Sequence, residues 1–374
     1  MKLNFKSKYW LPVGMFLAWV IVTSLFMFVS SYRLNLGSDN AYEWMIPAEQ
    51  FAAERVSGFV SARSHWDSVW YLDIAEFGYI YQGEGQLSNI VFFPMYPGLT
   101  AALGWLIGYP LAGLLVSLAA LLGVMLLLVR YVEEHHPDLD SADVLFFMLT
   151  FPTAIFLGAV YTESLFLLFV VATFYFTLKR NFWAAGALAA AAALTRVTGM
   201  LLVVPIAIEY AMAMRSENKK FSIDALAMVL PPVALGAFFL YHWIQFGSPF
   251  LFLEVQSNWG RGFEIESKHF FTDTFSQKAN LWLDLFFVAT AVVTTWFVGK
   301  RLRWSYAAYM LIGFIIPIAT GTLMSIGRYL VVLFPIFLLG ASINNPVLKK
   351  TWMLISTLLF ALYTILFAVG YWAG

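Results

Sequence analysis

Long apolar runs recur along the chain and constrain its fold more than any other feature. A helix of about 20 apolar residues spans the hydrocarbon core of a bilayer. The hydrophobic share of 61% and the charged share of 12% fit no soluble class of protein. We therefore predict an all-α polytopic membrane protein with about eleven transmembrane helices. The apolar runs lie near residues 9–31, 110–132, 142–160, 163–180, 182–196, 198–214, 223–246, 279–299, 304–321, 326–343 and 351–372.

Composition excludes several classes of function. The sequence contains no cysteine, which excludes disulfides, thiolate catalysis and Cys-ligated zinc or iron–sulfur centres. The formal net charge is zero and no nucleic-acid motif occurs, so no nucleic-acid partner is expected. No P-loop or dinucleotide fingerprint is present. Lysines precede the first apolar run, which is too long for a signal-peptide core, so we expect a retained signal-anchor helix.

The apolar run 92–108 decides the predicted orientation, because counting it as a span inverts every later loop. It is short and opens with two prolines. If it does not cross, most lysines and arginines fall in short loops on the side of the N-terminus, which the positive-inside rule places in the cytoplasm. We therefore predict a surface or half-inserted helix at 92–108. The long outer loops are then 32–91 and 247–278, within a single transmembrane domain over 1–374.

The candidate catalytic segment of the first outer loop is Ser64–Tyr79, SHWDSVWYLDIAEFGY. Ser64 and Asp67 have the spacing of a capping box, and Gly78 is placed to end the helix. An apolar stripe predicts that this helix lies on the bilayer surface with its aromatic side down. A further interfacial helix is predicted over 47–62. The stripe consists of Trp66, Val69, Trp70, Ile74 and Phe77.

Two interpretations of Asp67 remain open on spacing alone. The residue lies at the edge of the aromatic stripe, where its carboxylate would reach a lipid headgroup and could act in catalysis. An acid in the first turn also complements the positive end of the helix dipole without any further role.

Three charged residues lie at the predicted outer ends of membrane helices: Glu163, Arg196 and Arg328. A charge within a span costs at least ~2.5 kcal/mol and is a functional hypothesis by default. The alternatives are that these side chains snorkel to the interface, or that Glu163 pairs with an arginine. For Arg196 the structural alternative is favoured. Arg328 is predicted at a helix N-terminus, the unfavourable end of the dipole, and a bound phosphate would explain it.

The second outer loop and the span before it add four candidates. His242 lies near the end of a span, where a buried structural histidine is commoner than a catalytic one. Gln256, Trp259 and Arg261 follow in the loop. A tryptophan beside an arginine suits a sugar face or a lipid phosphate, and it also suits an ordinary aromatic belt.

Six stretches carry a family resemblance: HWDSVWYLDIAEFGY, FFPMYPGL, YTESLFLLF, LTRVTGMLL, FGSPFLFLEVQSNWGR and SIGRYLVVLFP. They resemble the GT-C class of polyprenyl-phosphate-dependent glycosyltransferases. Within it they are most similar to the PIG-V-like family of second mannosyltransferases of glycosylphosphatidylinositol synthesis and its shorter prokaryotic relatives. The resemblance implies a GT-C-type bundle, a catalytic acid in the first outer loop, here Asp67, and a lipid-phosphate-sugar donor. GT-C members often carry a pair of acids there, whereas here His65 and Trp66 precede a single Asp67.

The expected reaction is inverting transfer of a hexose, expected to be mannose, from polyprenyl phosphate to an acceptor hydroxyl on the outer face. Asp67 would be the general base. Arg328, helped by Arg196 or Arg261, would bind the donor phosphate and stabilise its developing charge. Glu163 would orient the acceptor or Arg196. The predicted substrate-positioning residues are Glu163, Trp66, Tyr71, His242, Gln256 and Trp259.

The expected partners are the polyprenyl-phosphate-sugar donor, membrane lipid, and an acceptor that is a glycan, a lipid or a protein. No cofactor is expected, because arginine supplies a permanent positive charge without a metal. The segment 133–140, EEHHPDLD, is expected to be a solvated loop, since adjacent histidines face different sides of a helix. The site is expected on the extracytoplasmic face.

The competing functional class is a lipid or small-solute transporter. A transporter should show buried charge near the bilayer midplane, often within inverted repeats. Here the charges gather at the predicted outer ends and no repeat is visible. A non-catalytic scaffold would give no reason for Asp67, Glu163 and Arg328 to share one face.

Overall fold

Helices form all the regular structure in the part of the chain that the computed structural model describes. It describes residues 10–34, 58–218, 222–259, 275–319, 323 and 325–372, with the backbone alone for 275–280. No β-strand occurs within these residues. The α-helices in chain order are α1 (Trp10–Arg33), α2 (Ser68–Phe77), α3 (Met95–Ile107), α4 (Tyr109–His135), α5 (Ser141–Leu149), α6 (Glu163–Leu178), α7 (Phe182–Ala193), α8 (Val203–Ser216), α9 (Leu230–Phe246), α10 (Leu251–Gln256), α11 (Phe275–Arg301), α12 (Trp304–Ala319), α13 (Ile326–Leu330), α14 (Pro335–Ala341) and α15 (Pro346–Ala368).

Six helices of the described chain are long and apolar enough to cross a membrane. Four shorter apolar helices, α3, α6, α7 and α12, accompany them. The predicted class, an all-α polytopic membrane protein, is confirmed. The six candidate spans are Trp10–Arg33, Tyr109–His135, Val197–Ser216, Ile223–Phe246, Leu281–Arg301 and Pro346–Ala368.

Two predicted spans are not continuous helices. The run 142–160 divides into α5 and a 3-10 helix at Ala154–Gly158. The run 326–343 divides into α13 and α14. A proline accompanies each interruption: Pro152 follows the end of α5, and Pro335 begins α14. Neither residue has the N–H that would continue a preceding helix.

Helix α3 covers most of the ambiguous run 92–108. Its 13 residues extend about 20 Å, which is less than the ~30 Å hydrocarbon core. Gly108, with a φ of 87°, makes the turn into α4. A left-handed residue of this kind favours glycine. The length of α3 therefore favours the surface or half-inserted helix that was predicted.

The described chain forms two compact units, and the prediction of one domain over 1–374 stays a prediction. Unit 1 takes its residues from Met1–Gly78, Tyr96–Leu168 and Gly340–Ala373. Unit 2 takes its residues from Tyr79–Met95 and Phe169–Leu339.

Trp19 ties the helices of unit 1 together. Helix α1 packs against α4 and α15, and α4 also packs against α2 and α5. The Trp19 indole N–H donates to the carbonyl of Leu149 at 2.7 Å, and its ring stacks on Phe360 at 5.9 Å. A Cβ at Gly158 would lie 2.6 Å from the Trp19 ring, so the close packing there needs glycine.

A partly buried ion pair joins α8 to the start of α12 in unit 2. The Arg303 Nε and Nη2 atoms each donate to a different carboxylate oxygen of Glu209 at 2.9 Å. Ser305 Oγ donates to the same carboxylate at 2.5 Å. Glu209 is buried, whereas the side chain of Arg303 is 38% exposed. Three hydrogen bonds thus compensate the loss of water around Glu209.

We expect Glu209→Gln to lower the free energy of unfolding by about 2 kcal/mol, below the full range for a buried pair because Arg303 is partly exposed. The measurement is the thermal unfolding midpoint in detergent. The control is Glu134→Gln, which breaks the exposed pair of Arg130 and Glu134 and should change stability by less than about 0.5 kcal/mol. Equal changes of the unfolding midpoint in Glu209→Gln and Glu134→Gln would show that the pair of Glu209 and Arg303 stabilises the fold no more than an exposed pair does.

Candidate active site

The turn at Asp67 differs from the predicted capping box. Helix α2 begins at Ser68, and the Asp67 side chain makes no capping hydrogen bond. Ser64 Oγ instead donates to the Val60 carbonyl at 2.8 Å. The capping-box prediction is wrong, because Ser64 belongs to the preceding turn. The predicted helix end is confirmed: Gly78 has a φ of 81°, and its N–H donates to the Ile74 carbonyl.

The aromatic stripe of α2 packs inside the protein. Trp66 is 3% exposed, every residue of 68–75 is buried, and Phe77 alone of the stripe remains 59% exposed. Helix α2 packs against α4. The prediction that α2 lies aromatic side down on the bilayer surface is therefore wrong. The helical period of apolar residues identifies an apolar face of the helix. It does not show whether that face packs against protein or against lipid.

Asp67 is the one partly exposed residue between positions 66 and 75, all of which the structure describes. Its backbone precedes helix α2, in which Ser68 to Ala75 are buried and only the last two residues are exposed. A carboxylate on a partly exposed residue with a fixed backbone suits the role of a general base.

Trp66, next to Asp67, has a left-handed backbone with a φ of 59°. This conformation costs roughly 1–2 kcal/mol for a residue with a side chain, and it persists only where the surroundings hold it. The Trp66 ring meets the edge of Trp372 at 4.9 Å. The His65 ring packs on Phe367 at 5.7 Å and is hydrogen-bonded to the backbone of Ala368. The C-terminal end of α15 thus steadies the turn.

Tyr161 also holds this turn, and sequence reasoning missed it. Its hydroxyl donates to the His65 carbonyl at 3.1 Å and accepts from the Asp67 N–H at 3.1 Å. The side chain is fully buried. The only signal in the sequence was its place two residues before Glu163 in YTESLFLLF.

Arg63 is a second residue that sequence reasoning missed. It is fully buried, and its Nη2 donates to Thr23 Oγ1 at 2.9 Å and to Ser24 Oγ at 3.1 Å. Its guanidinium lies 4.3 Å from the Phe59 ring centroid. Burial lowers the pKa of Arg63 to about 10, so the group stays charged at neutral pH. Arg63 therefore anchors the segment before Asp67 to α1.

Glu163 and Tyr71 lie in a buried polar and aromatic region of unit 1. The Tyr71 ring meets Tyr96 edge-on at 5.3 Å. The Tyr96 hydroxyl donates to the Gly113 carbonyl at 2.8 Å, and Glu163 is near enough to interact with that hydroxyl electrostatically. Glu163 is fully buried at the start of α6. Its burial excludes the alternative that it snorkels to the interface.

Arg328 and Arg196 belong to unit 2. Helix α13 is a single turn of five residues with Arg328 at its third position, so it has no separate N-terminal end on which the predicted dipole argument could rest. Arg328 is nevertheless buried, with 4% exposure. Arg196 precedes the 3-10 helix Val197–Leu202, and its guanidinium lies 4.9 Å from the ring centroid of Tyr329. Arg196 therefore contacts the residue next to Arg328.

His242 is fully buried in an aromatic cluster, as the structural interpretation predicted. Its ring lies 4.4 Å from Phe238, 5.7 Å from Phe246 and 5.9 Å from Tyr79. Neither ring nitrogen has a hydrogen-bond partner in the described part of the chain. His242 is therefore buried as expected, but the hydrogen bonds expected for a buried histidine are absent within the described residues.

Gln256 and Trp259 are both partly exposed. The Trp259 ring meets Phe92 edge-on at 5.5 Å. Helix α10, which ends at Gln256, packs on the 3-10 helix Asn89–Val91. Parts of the two predicted outer loops thus pack together within unit 2, which agrees with their predicted position on the same face.

Some predictions have no structural outcome. Arg261 and most of the interfacial helix predicted over 47–62 lie outside the described residues. Asp67 and Arg328 belong to different units, so their meeting at one site stays a prediction. No group of three or more His, Cys, Asp or Glu side chains that could hold a metal occurs within the described ranges. The expected independence from metal also stays a prediction.

Residues 17–243, more than half of the chain, match the family model described as mannosyltransferase (PIG-V). The chain belongs to this family. The matched range of the PIG-V family contains Asp67, Glu163, Arg196 and His242 and ends before Arg328.

Curated relatives of this PIG-V family member are named as GPI mannosyltransferases. GPI alpha-1,6-mannosyltransferase 2 of Homo sapiens is 33% identical over 132 residues, which cover 32% of this chain and 25% of the human protein. The Mus musculus protein of that name is 30% identical over 164 residues, covering 40% of this chain and 32% of the relative. GPI mannosyltransferase 2 of Yarrowia lipolytica is 29% identical over 185 residues and 49% of each chain. The matches thus span at most about half the length of these relatives.

Burial lowers the pKa of His65 to about 4, so the folded protein keeps this imidazole neutral while the unfolded chain binds a proton below about pH 6.5. The contribution of His65 to stability is complete above about pH 6.5 and is lost as the pH falls towards 4. Between pH 7 and pH 5 we expect a loss of about 2 kcal/mol from this group.

The measurement for His65 is the thermal unfolding midpoint across that pH range. His65→Asn should remove this part of the pH dependence, whereas His136→Asn should leave it in place. An unchanged pH profile in His65→Asn would contradict the assignment.

Proposed function

We propose that this protein transfers a mannosyl group from a polyprenyl-phosphate donor to an acceptor hydroxyl at the extracytoplasmic face of the membrane. The observation that carries the proposal is that Asp67 is partly exposed between the buried residues Trp66 and Ser68, on a turn that Tyr161 holds through the backbone. Membership of the PIG-V mannosyltransferase family supports the sugar and the reaction class, and it favours a transferase over a transporter.

Asp67 acts as the general base in this proposal. The acceptor oxygen attacks the anomeric carbon from the face opposite the phosphate and forms the new glycosidic bond. The bond between the anomeric carbon and the phosphate oxygen breaks, and the phosphate leaves with the electron pair. The acceptor proton passes to Asp67, a step that typically contributes ~10²- to 10⁴-fold to rate.

Arg328 and Arg196 bind the donor phosphate and stabilise the charge that develops as it leaves. A guanidinium suits this role because it is permanently charged and binds phosphate oxygens in pairs. The contact of Arg196 with Tyr329 supports grouping the two arginines. Arg261 is proposed to assist them, and no metal ion is required.

The remaining candidate substrate-positioning residues fall into two groups according to the solvent exposure of their side chains. Gln256 and Trp259 are partly exposed and are proposed to contact the sugar or lipid directly. The others are buried and are proposed to position substrate by fixing neighbouring groups; they are Trp66, Tyr71, Glu163 and His242. The acceptor class is proposed as a glycan, lipid or protein hydroxyl.

We expect Asp67→Asn to reduce transfer by at least ~10²-fold while the protein still folds, because the amide keeps the shape and removes the base. The measurement is transfer of radiolabelled mannose from polyprenyl-phosphate-mannose by purified protein, with and without chelator. The control is Glu76→Gln, which changes an exposed acid on the same helix. Normal turnover in Asp67→Asn would remove the base assignment, and loss of wild-type transfer with chelator would refute metal independence.

We expect Arg328→Lys to weaken use of the donor on the order of 10- to 100-fold, since lysine keeps the charge and loses the paired hydrogen bonds. The measurement is the donor dependence of transfer. Arg215→Ala, which removes an exposed arginine of α8, should behave like the wild type. A fully active, folded Arg328→Lys would leave the phosphate without its proposed anchor.

A further inference from the structure

The hydroxyl of Tyr161 connects the two residues that flank the strained Trp66. It donates to the His65 carbonyl and accepts from the Asp67 N–H, both at 3.1 Å. A phenol can make both bonds at once, because it has one donor hydrogen and free lone pairs. One side-chain atom thus closes the turn on either side of the left-handed residue.

The Asp67 N–H needs a partner outside the helix. Asp67 is the N-cap of α2, and the first amides of a helix have no carbonyl within the helix to bind. The His65 carbonyl also accepts from the Ser68 N–H at 3.3 Å. The Tyr161 hydroxyl therefore adds two hydrogen bonds to a turn whose own backbone bond is long. One of these two bonds is made at the backbone N–H of Asp67 itself.

Tyr161 is itself firmly placed. Its ring lies 4.9 Å from Phe156, 5.8 Å from Phe367 and 6.1 Å from Tyr71. Its backbone carbonyl accepts from Ser117 Oγ of α4 at 3.1 Å. Because the ring is held in place, its hydroxyl restrains the backbone of the turn to which it is hydrogen-bonded.

We propose that Tyr161 is a positioning residue for the reaction and that it sets the direction of the Asp67 carboxylate through the backbone of the turn. This inference rests on the proposed role of Asp67 as general base. Tyr161 bonds to backbone atoms and not to reacting atoms, so its effect passes through Asp67. A shift of about 1 Å in a catalytic group can cost ~10²-fold in rate.

The first test is the kinetics of Tyr161→Phe, which removes one oxygen atom and keeps the ring. We expect kcat to fall on the order of 10-fold while KM for polyprenyl-phosphate-mannose stays within about twofold, since the misplaced group acts in the chemical step. A fall in donor affinity with unchanged kcat would overturn the proposal.

The chain offers a matched control in Tyr210. Its hydroxyl also donates to a carbonyl and accepts from an N–H of one turn, at 3.1 and 2.7 Å, and both bonds go to Ser222. Tyr210→Phe removes the same two kinds of bond from a buried ring that is not part of the turn at Asp67. Both variants should lose similar stability, and only Tyr161→Phe should lose kcat. Equal activity in the two variants would refute a positioning role.

The second test separates this inference from the proposed function. Hydrogen exchange by mass spectrometry on a peptide containing Asp67 measures the bond to Tyr161 without any substrate. We expect faster exchange there in Tyr161→Phe and no change there in Tyr210→Phe. Unchanged exchange at Asp67 would refute the tether even if Asp67→Asn is inactive. Faster exchange combined with an active Asp67→Asn would uphold the tether and refute the base.

Discussion

The left-handed backbone of Trp66 is the constraint on which the candidate site depends. The conformation is unfavourable for a bulky residue, so the turn exists only where neighbouring groups hold it. The ring of Trp372 and the hydroxyl of Tyr161 supply that support from distant parts of the sequence. The position of Asp67 is thus a property of unit 1 as a whole and not of the segment that contains it.

Two buried charged residues in the described chain, Arg63 and Glu209, bind local polar groups. Arg63 donates to hydroxyls of α1, and Glu209 accepts from Arg303 and Ser305. Apolar surroundings make a lone charge costly, which is why these groups meet hydroxyl and ionic partners. Arg196 instead lies on the face of the Tyr329 ring, where a cation is attracted by the aromatic electrons.

Sequence predicted the fold class well, because apolar runs of bilayer length rarely occur outside membrane-spanning helices. It also predicted the helix end at Gly78 and the burial of His242. Prediction from sequence failed where one local pattern is compatible with two different structures. The stripe through Trp66 and Trp70 faces protein, although its period alone would serve equally for lipid.

Long-range contacts were the other limit of prediction from sequence. Nothing in the spacing of Tyr161 reveals a hydrogen bond to a residue 94 positions away. The argument from helix direction carries no weight for Arg328, because α13 is only one turn long. Prolines next to the breaks in two predicted spans were visible in the sequence. A prediction based only on the length of the apolar runs does not take them into account.

The contact of Trp66 with Trp372 has a practical consequence for handling the protein. A bulky label or a substitution at position 372 would act on the ring that packs against Trp66. It would therefore disturb the turn at Asp67, although position 372 lies outside every candidate span.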